Sequence, residues 1–429
     1  MTMLHLGVLF AVLWMSTLAF SIPTFNITIP VPDGTSNHGD PSILCTPTRW
    51  TSILSFFFGN YIAHAATTLS YPGEELYDYA QTVVGALLFP STGVYRGLDA
   101  IFRCARHAES ELVCATRAGA LDAVGGRGDD PGWDLPFLEA PFSSRKIHGV
   151  VRRNLPPGFE FRVIPRNAVI ETPTGTADAP TVVMICTSQQ TAKLMVAIFQ
   201  TLYGVVTLYR ARGDQLARYG YAAFALTVTP YTVMSLVNLV GALLTPTYPT
   251  MYLVRSDAMD EVNRHPGGPY FDGTVGRFKP TKEPIGFWAQ AMGLLGWGQA
   301  RETVEQAEQG PASRFKSLLF RGFWNALPAY IVYSVAGGIP LAILGSLTKF
   351  RPGDSTRSQQ VWLMMWLGFG LTGIFLTRLR YSLSDKSKVS SIPKGIVLLC
   401  VSLYSAPAIG GMVVVGKMMK EYGDCIRLD

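Results

Sequence analysis

Apolar residues in this chain gather into long runs and rarely alternate with polar ones. Seven runs lie at about 50–68, 79–98, 190–209, 219–244, 322–347, 359–377 and 393–416. A helix rises about 1.5 Å per residue, so about 20 apolar residues cross the hydrocarbon layer of a bilayer. The pattern therefore predicts an all-α membrane protein with about seven transmembrane helices. Pro90, Pro230, Pro328, Pro340 and Pro407 fall inside the runs. Membrane helices accept such prolines as kinks, because neighbouring groups satisfy the freed carbonyls.

The runs divide the rest of the chain. Residues 4–20 form an apolar stretch, and Ala19-Phe20-Ser21 fits the small-x-small pattern of a cleavage site. This predicts a signal peptide over 1–21; the lack of Lys and Arg before it leaves an uncleaved anchor as the alternative. A tether rich in Pro, Thr, Gly and Asp follows at 22–49. It holds the sequon Asn26-Ile27-Thr28, which predicts a glycosylated, lumenal or extracellular segment. Helices 1–2 occupy 50–98, helices 3–4 occupy 190–244, helices 5–7 occupy 322–416, and a tail runs over 417–429. Two polar insertions separate them, at 99–189 and 245–321. The first opens with a helical stretch from Ala108 to Val124 and a Gly/Asp/Pro-rich turn from Gly125 to Gly132. Strand-like runs follow at Phe159–Ile164, Ala168–Glu171 and Thr181–Thr187, enough for a few short β-strands. The second has a Gly/Pro-rich middle from His265 to Phe271, an amphipathic run at Phe287–Trp297 and a polar helix at Gln299–Gln309. Neither insertion obviously holds enough apolar residues to fold apart from the helices.

Composition agrees with the runs. Only 15% of residues are charged and 48% are hydrophobic, against about 25% charged in soluble domains. The net charge of +6 is spread over many loops. It calls for no nucleic-acid partner; the expected partners are the lipid bilayer and proteins bound through the two insertions. The expected location is a membrane of the secretory pathway, either the plasma membrane or an endomembrane. Six cysteines are too few for a disulfide scaffold. With the N-terminus outside, seven spans place the C-terminus inside. Cys45, Cys104, Cys114 and Cys186 then share the oxidising side, an even number able to pair, while Cys425 lies on the cytoplasmic tail. The loop 378–394, with five basic residues, argues the other way.

Candidate chemistry centres on the first run. Asn60 and His64 lie one helical turn apart on one face. In a bilayer they must face protein or a cavity. They form either a small intramembrane polar site or a packing lock, beside a small-residue seam of Ser55, Gly59 and Ala63. None of the seven runs carries Asp or Glu at its centre, which speaks against ion-coupled carriers. A channel lined by Asn60, His64, Gln200, Asn238 and Asn325 survives that argument. Asp257, Asp260, Glu261 and His265 share one side of a short helix, yet no second motif completes a metal site. Arg127-Gly128-Asp129 reads as turn chemistry. The signatures of G-protein-coupled receptors are missing: Leu208-Tyr209-Arg210 ends the third run, and Ser405-Ala406-Pro407 stands in the seventh. No nucleophile elbow, phosphate loop, dinucleotide fingerprint or paired Cys-x-x-Cys is present, so no cofactor and no catalytic residue is expected.

Several segments carry a resemblance. They are HGDPSILCTPTRWTSILSFFFGNYIAHAATTLSYPGEE, LLFPSTGVYRGLDAI, RAGAL at Arg117–Leu121, KIHGVVRRNLPPGFEFRVIPRNA and VVVGKMMKEYGDCIRL. In this order they resemble a group of uncharacterised multi-pass integral membrane proteins of filamentous fungi. The resemblance implies a fungal membrane protein and carries over no activity and no functional residue. The expected function is that of a non-enzymatic receptor-like or scaffold membrane component. The alternatives are a channel or facilitator for a small solute and a membrane-embedded enzyme acting on lipid, for which His64 alone speaks.

Overall fold

The computed structural model describes residues 30–126, 145–164, 168–171, 185, 187, 191–212, 214–266, 269–279, 334–371 and 394–428. The chain forms two units, one from residues up to Thr48 together with Tyr422–Asp429, the other from Arg49–Glu421.

In the smaller unit, strand β1 (Ile43–Thr46) pairs antiparallel with β8 (Asp424–Arg427), and Cys45 lies opposite Cys425. The N–H and carbonyl of Cys45 both bond to Ser36, at 2.8 and 2.9 Å. They point away from β8, so Cys45 and Cys425 face each other as a non-hydrogen-bonded pair, the closer kind in an antiparallel ladder. Their Cα atoms are 3.9 Å apart and their sulfurs form a disulfide. Gly423, at φ +88°, lets β8 come this near: a Cβ there would meet the Thr46 carbonyl at 2.7 Å. A disulfide joins residues of one compartment, so tether and tail share a side. This overturns the expectation that an odd number of crossings puts Cys425 inside.

In the larger unit, helix α1 starts as Trp50–Phe57, passes through a π-helical turn at Phe58–Ile62 and ends as Ala63–Ala65. Next come α2 (Leu76–Leu88) and α3 (Pro90–Arg103). Pro90 at the first helical position favours a new helix and ends the old one. Helix α4 (Glu111–Ala118) is capped by Ser110, whose hydroxyl accepts from the Val113 N–H at 3.3 Å, and stopped by Gly119 at φ +70°. Then follow α5 (Thr191–Arg210), α6 (Asp214–Tyr219) and α7 (Thr229–Leu244), the last entered through 3-10 turns at Gly220–Ala222 and Phe224–Val228. Helix α8 (Asp257–Asn263) is capped by Ser256. Helices α9 (Ser334–Thr348), α10 (Arg357–Leu371) and α11 (Lys394–Tyr422) follow. Helix α7 packs chiefly on α3 and α5. Gly410 and Gly411 of α11 seat the rings of Trp362 and Trp366 of α10.

The two polar insertions fold together. Strands β2 (Leu121–Gly126), β3 (Ile147–His148), β4 (Phe159–Val163) and β6 (Met251–Leu253) form one sheet in the order β3-β6-β2-β4. The contact across the insertions is parallel, with Leu121 beside Tyr252; β4 runs antiparallel to β2, with Val124 opposite Phe161. Strand β5 (Val169–Glu171) pairs with β7 (Arg277–Lys279). Each face of the larger sheet has its own core. Leu121, Ala123, Tyr252 and Val254 pack with Ala115 and Ala118 of α4. Val124 and Leu253 pack with Met259 and Val262 of α8 and with Phe271. The alternation of the two faces along β2 and β6 follows the two-residue strand period.

These observations correct the expected all-α, seven-span protein: the fold is mixed α/β with several small sheets. Among the described residues, only α5 and the segment Phe224–Leu244 are long and apolar enough to cross a membrane, and the second is mostly buried. Helix α11 covers the run at 393–416 with Pro407 inside it, and the other runs are interrupted or lie only partly within the described residues. The run at 79–98 breaks at Phe89–Pro90, and its second half is a buried helix carrying Arg96, Asp99 and Arg103. Helix α9 (Ser334–Thr348) covers the later part of the run at 322–347, whose first part lies outside the described residues. Within the first insertion, the expected helix to Val124 stops at Ala118, and Leu121–Gly126 is a central strand. Parallel strands buried on both faces lack alternation, so this run gives no period-2 signal. The runs at Phe287–Trp297 and Gln299–Gln309 and most of Thr181–Thr187 lie outside the described residues.

Candidate functional site

Asn60 and His64 sit in the π-helical turn of α1 and just after it, both with no exposed surface. The Asn60 amide donates to the Phe56 carbonyl at 3.1 Å, and its oxygen accepts from Thr207 of α5 at 3.0 Å. His64 Nδ1 and the Ser235 hydroxyl of α7 are 2.7 Å apart, and Thr67 lies 3.1 Å from the same hydroxyl. Thr67 also donates to the His64 carbonyl at 2.7 Å. One residue thus ties α1 to α5 and the other ties it to α7. Gly204 permits this meeting: a Cβ there would fall 2.2 Å from Thr232 Oγ1 and 3.1 Å from His64 Cε1. Nearby, Tyr61 bonds Thr227 at 2.6 Å and packs on Tyr231 and Trp366.

A histidine beside a serine invites comparison with a nucleophile and its base. That chemistry needs a third group orienting the imidazole and a path for substrate. His64 Nε2 is buried with no hydrogen-bond partner, and Ser235 has no exposed surface. The arrangement joins helices. Of the other expected channel residues, Asn238 is buried one turn beyond Ser235 with both amide atoms lacking a partner. Gln200 is half-buried, and Asn325 lies outside the described residues.

A second polar cluster was not expected from the sequence. Arg96 of α3 grips Glu74 through two parallel bonds of 2.6 and 2.7 Å and also donates to the Leu69 carbonyl and Thr82. Seven residues on, Arg103 pairs with Asp99 at 2.7 Å and donates to the Ala118 carbonyl at the end of α4. Both ion pairs are buried. The Tyr71 ring lies against both guanidinium groups, 4.5 and 5.2 Å from its centroid. Leu69, Tyr71, Arg96, Asp99, Arg103 and Thr245 line a cleft. Each charge faces an opposite one in bidentate or charge-assisted geometry, so the cluster works as a joint. The signal for it was present: Arg96, Asp99 and Arg103 fall on one helical face inside an otherwise apolar segment.

The remaining expected residues are scattered. Asp257 pairs with Arg277 and Asp260 with Arg255, each at 2.9 Å, so these acids are engaged by bases from neighbouring strand segments. His265 is exposed at the end of that stretch. Cys104 and Cys114 are free thiols. The Tyr248 hydroxyl donates to Cys114 at 3.4 Å, and burial together with this contact pushes the phenol upward. Asn26, Cys186 and Arg127-Gly128-Asp129 lie outside the described residues. No protein-family model, no curated protein and no solved structure matches this chain.

Proposed function

We propose that the chain is a non-enzymatic membrane component, receptor-like or scaffolding, held in lipid by its helical part and presenting its sheet part to protein partners. One observation carries the reading. Helix α5 buries only Ala197 and Gly204, while Met195, Phe199, Leu202, Val206 and Tyr209 around it are exposed. Soluble monomers rarely expose an apolar surface of this extent. Its 20 residues span about 30 Å, the thickness of a hydrocarbon layer. The ends carry interface chemistry: Lys193 lies 4.5 Å over the Tyr79 ring and Arg212 5.9 Å over the Tyr209 ring. Trp50, Leu54, Phe58 and Ile62 add a second exposed apolar row at four-residue spacing along α1. Acyl chains cover such rows at no cost.

The sheet part supports the other half of the reading. Its strands come from chain segments before α5 and after α7, so one sheet gathers both polar insertions. A photoactivatable apolar probe dissolved in the membrane tests the proposal. Labelling of Phe199, Leu202 and Val206, with Ala197 and Gly204 spared and the chain resisting alkaline carbonate, is the expected result. A chain released by carbonate and unlabelled on α5 overturns it.

A further inference from the structure

We propose that His38, Cys45 and Cys425 form a binding site for a thiophilic divalent cation of the zinc type once their disulfide is reduced. The site lies wholly in the smaller unit and does not depend on the lipid contact proposed above. His38 Nδ1 stands 3.5 Å from Cys45 Sγ. The imidazole nitrogen and both sulfurs all lie within 4.8 Å of one another. Bonds of about 2.0–2.1 Å to nitrogen and 2.3 Å to sulfur put tetrahedral zinc ligands roughly 3.5 Å apart. Small side-chain rotations therefore bring this set to coordination distance.

The backbone prepares the histidine for this place. His38 has φ +49°, a left-handed conformation uncommon for a residue with a Cβ. A turn holds it there: the Asn37 side chain accepts from the Gly39 N–H at 3.1 Å, and the Asn37 carbonyl accepts from Asp40 at 2.8 Å. Its ring rests 5.1 Å from that of Tyr422. A disulfide alone needs no imidazole, whereas a metal held by two thiolates needs at least a third donor. Strands β1 and β8 set Cys45 opposite Cys425 in register.

The steps balance as follows. A small-molecule dithiol reductant supplies two electrons, the Cys45–Cys425 bond breaks, two thiols form, and the reductant leaves as its own disulfide. The cation then displaces both thiol protons and gains two metal–sulfur bonds and one bond to His38 Nδ1. Water completes the tetrahedron.

Zinc or cobalt titration of the full-length chain, oxidised and reduced, tests the site. Cys45→Ser/Cys425→Ser serves as the blank for the other thiols. Reduced wild type is expected to bind one more equivalent than either the oxidised chain or the blank, with thiolate-to-cobalt charge-transfer absorption. His38→Ala is expected to weaken that equivalent by at least roughly ten-fold, the loss typical of disturbing a metal's support. Equal uptake by reduced wild type and blank, or unchanged affinity in His38→Ala, overturns the proposal. If His38→Ala does not fold, the comparison of oxidised and reduced wild type decides alone.

Discussion

Helices α5 and the Phe224–Leu244 segment look alike by composition and differ in nearly everything else. They have 20 and 21 residues, and their most apolar stretches share a mean hydropathy of 1.4, yet 11% of that stretch is buried in the first and 67% in the second. The difference lies in where the small and polar residues fall. Helix α7 carries Thr232, Ser235, Asn238 and Gly241 along a winding row of three-residue spacing, and all four are buried. Helix α5 has a narrow inner strip, Ala197 and Gly204, and exposes Met195, Phe199, Leu202, Val206 and Tyr209. Hydropathy thus tells which solvent a helix tolerates. Small and polar positions tell which neighbours it has.

If that distinction holds, stability resides on the inner faces and the outer face of α5 is nearly silent. The largest effect is expected at the joint on α3, the main neighbour of α7. Arg96→Met strands Glu74 in a site with no exposed carboxylate surface. Removing one partner of a buried pair costs about 3–5 kcal/mol. Glu74→Leu/Arg96→Met is expected to recover most of the loss, because apolar replacement of both partners removes the uncompensated charge. Denaturant unfolding in detergent micelles measures both. Equal losses in the single and double variants would show that Arg96 acts through its bonds to Leu69 and Thr82.

The crossing of α3 and α7 comes next. A Cβ on Gly97 would meet Asn238 Oδ1 at 2.6 Å and Val237 Cγ1 at 2.8 Å, and one on Gly241 would meet the Gly97 carbonyl at 2.8 Å. Gly97→Leu is therefore expected to destabilise by about 1–3 kcal/mol or more through overpacking. Leu202→Ala on the exposed side of α5 is expected to stay within about 0.5 kcal/mol. Comparable losses at the two sites would erase the distinction between the helices.

How much of this was readable in advance depends on the residue. The apolar character of α5 and α7 was plain, and so was the shared face of Asn60 and His64, since both need only a local period. Strands β4 and β5 were visible because Phe159–Val163 and Val169–Glu171 are β-prone and half exposed. Strand β2 was hidden because both its faces are buried. Its partner β6 lies 130 residues on in the sequence, since Leu121 pairs with Tyr252 with a difference of 131. Glu74 gives no local signal for the same reason: its partner Arg96 sits in α3. The Cys45–Cys425 pair was hidden by the span count, which placed the two on opposite sides. Long-range pairing leaves no local pattern.

A smaller effect is expected where α1 meets α7. His64→Leu removes the 2.7 Å bond to Ser235 but leaves that hydroxyl its contact with Thr67. With one partner kept, the loss is expected to be about 1 kcal/mol, the net worth of a single hydrogen bond. Ser235→Ala strips partners from both His64 and Thr67 and is expected to cost more. The reverse order, read from unfolding midpoints, would mean that the imidazole matters for packing and not for bonding.

A small effect is also expected at Asn238, and its sign is the informative part. The residue is 1% exposed, and neither Nδ2 nor Oδ1 has a hydrogen-bond partner. Each buried, unpaired group costs about 1–3 kcal/mol relative to its hydrated state, while deleting polar groups that bond to nothing leaves no partner stranded. Asn238→Val keeps a branched side chain of similar bulk against Gly97 and discards both groups. It is expected to be neutral or to stabilise by about 1 kcal/mol. Every other inner-face substitution considered above weakens the protein, so a gain here would separate the polar residues that bind helices together from one that merely fits between them. A loss of about 1 kcal/mol or more would instead mean that an internal water satisfies the amide. The seam between α3 and α7 would then be hydrated, and α7 would differ from α5 in solvent as well as in neighbours.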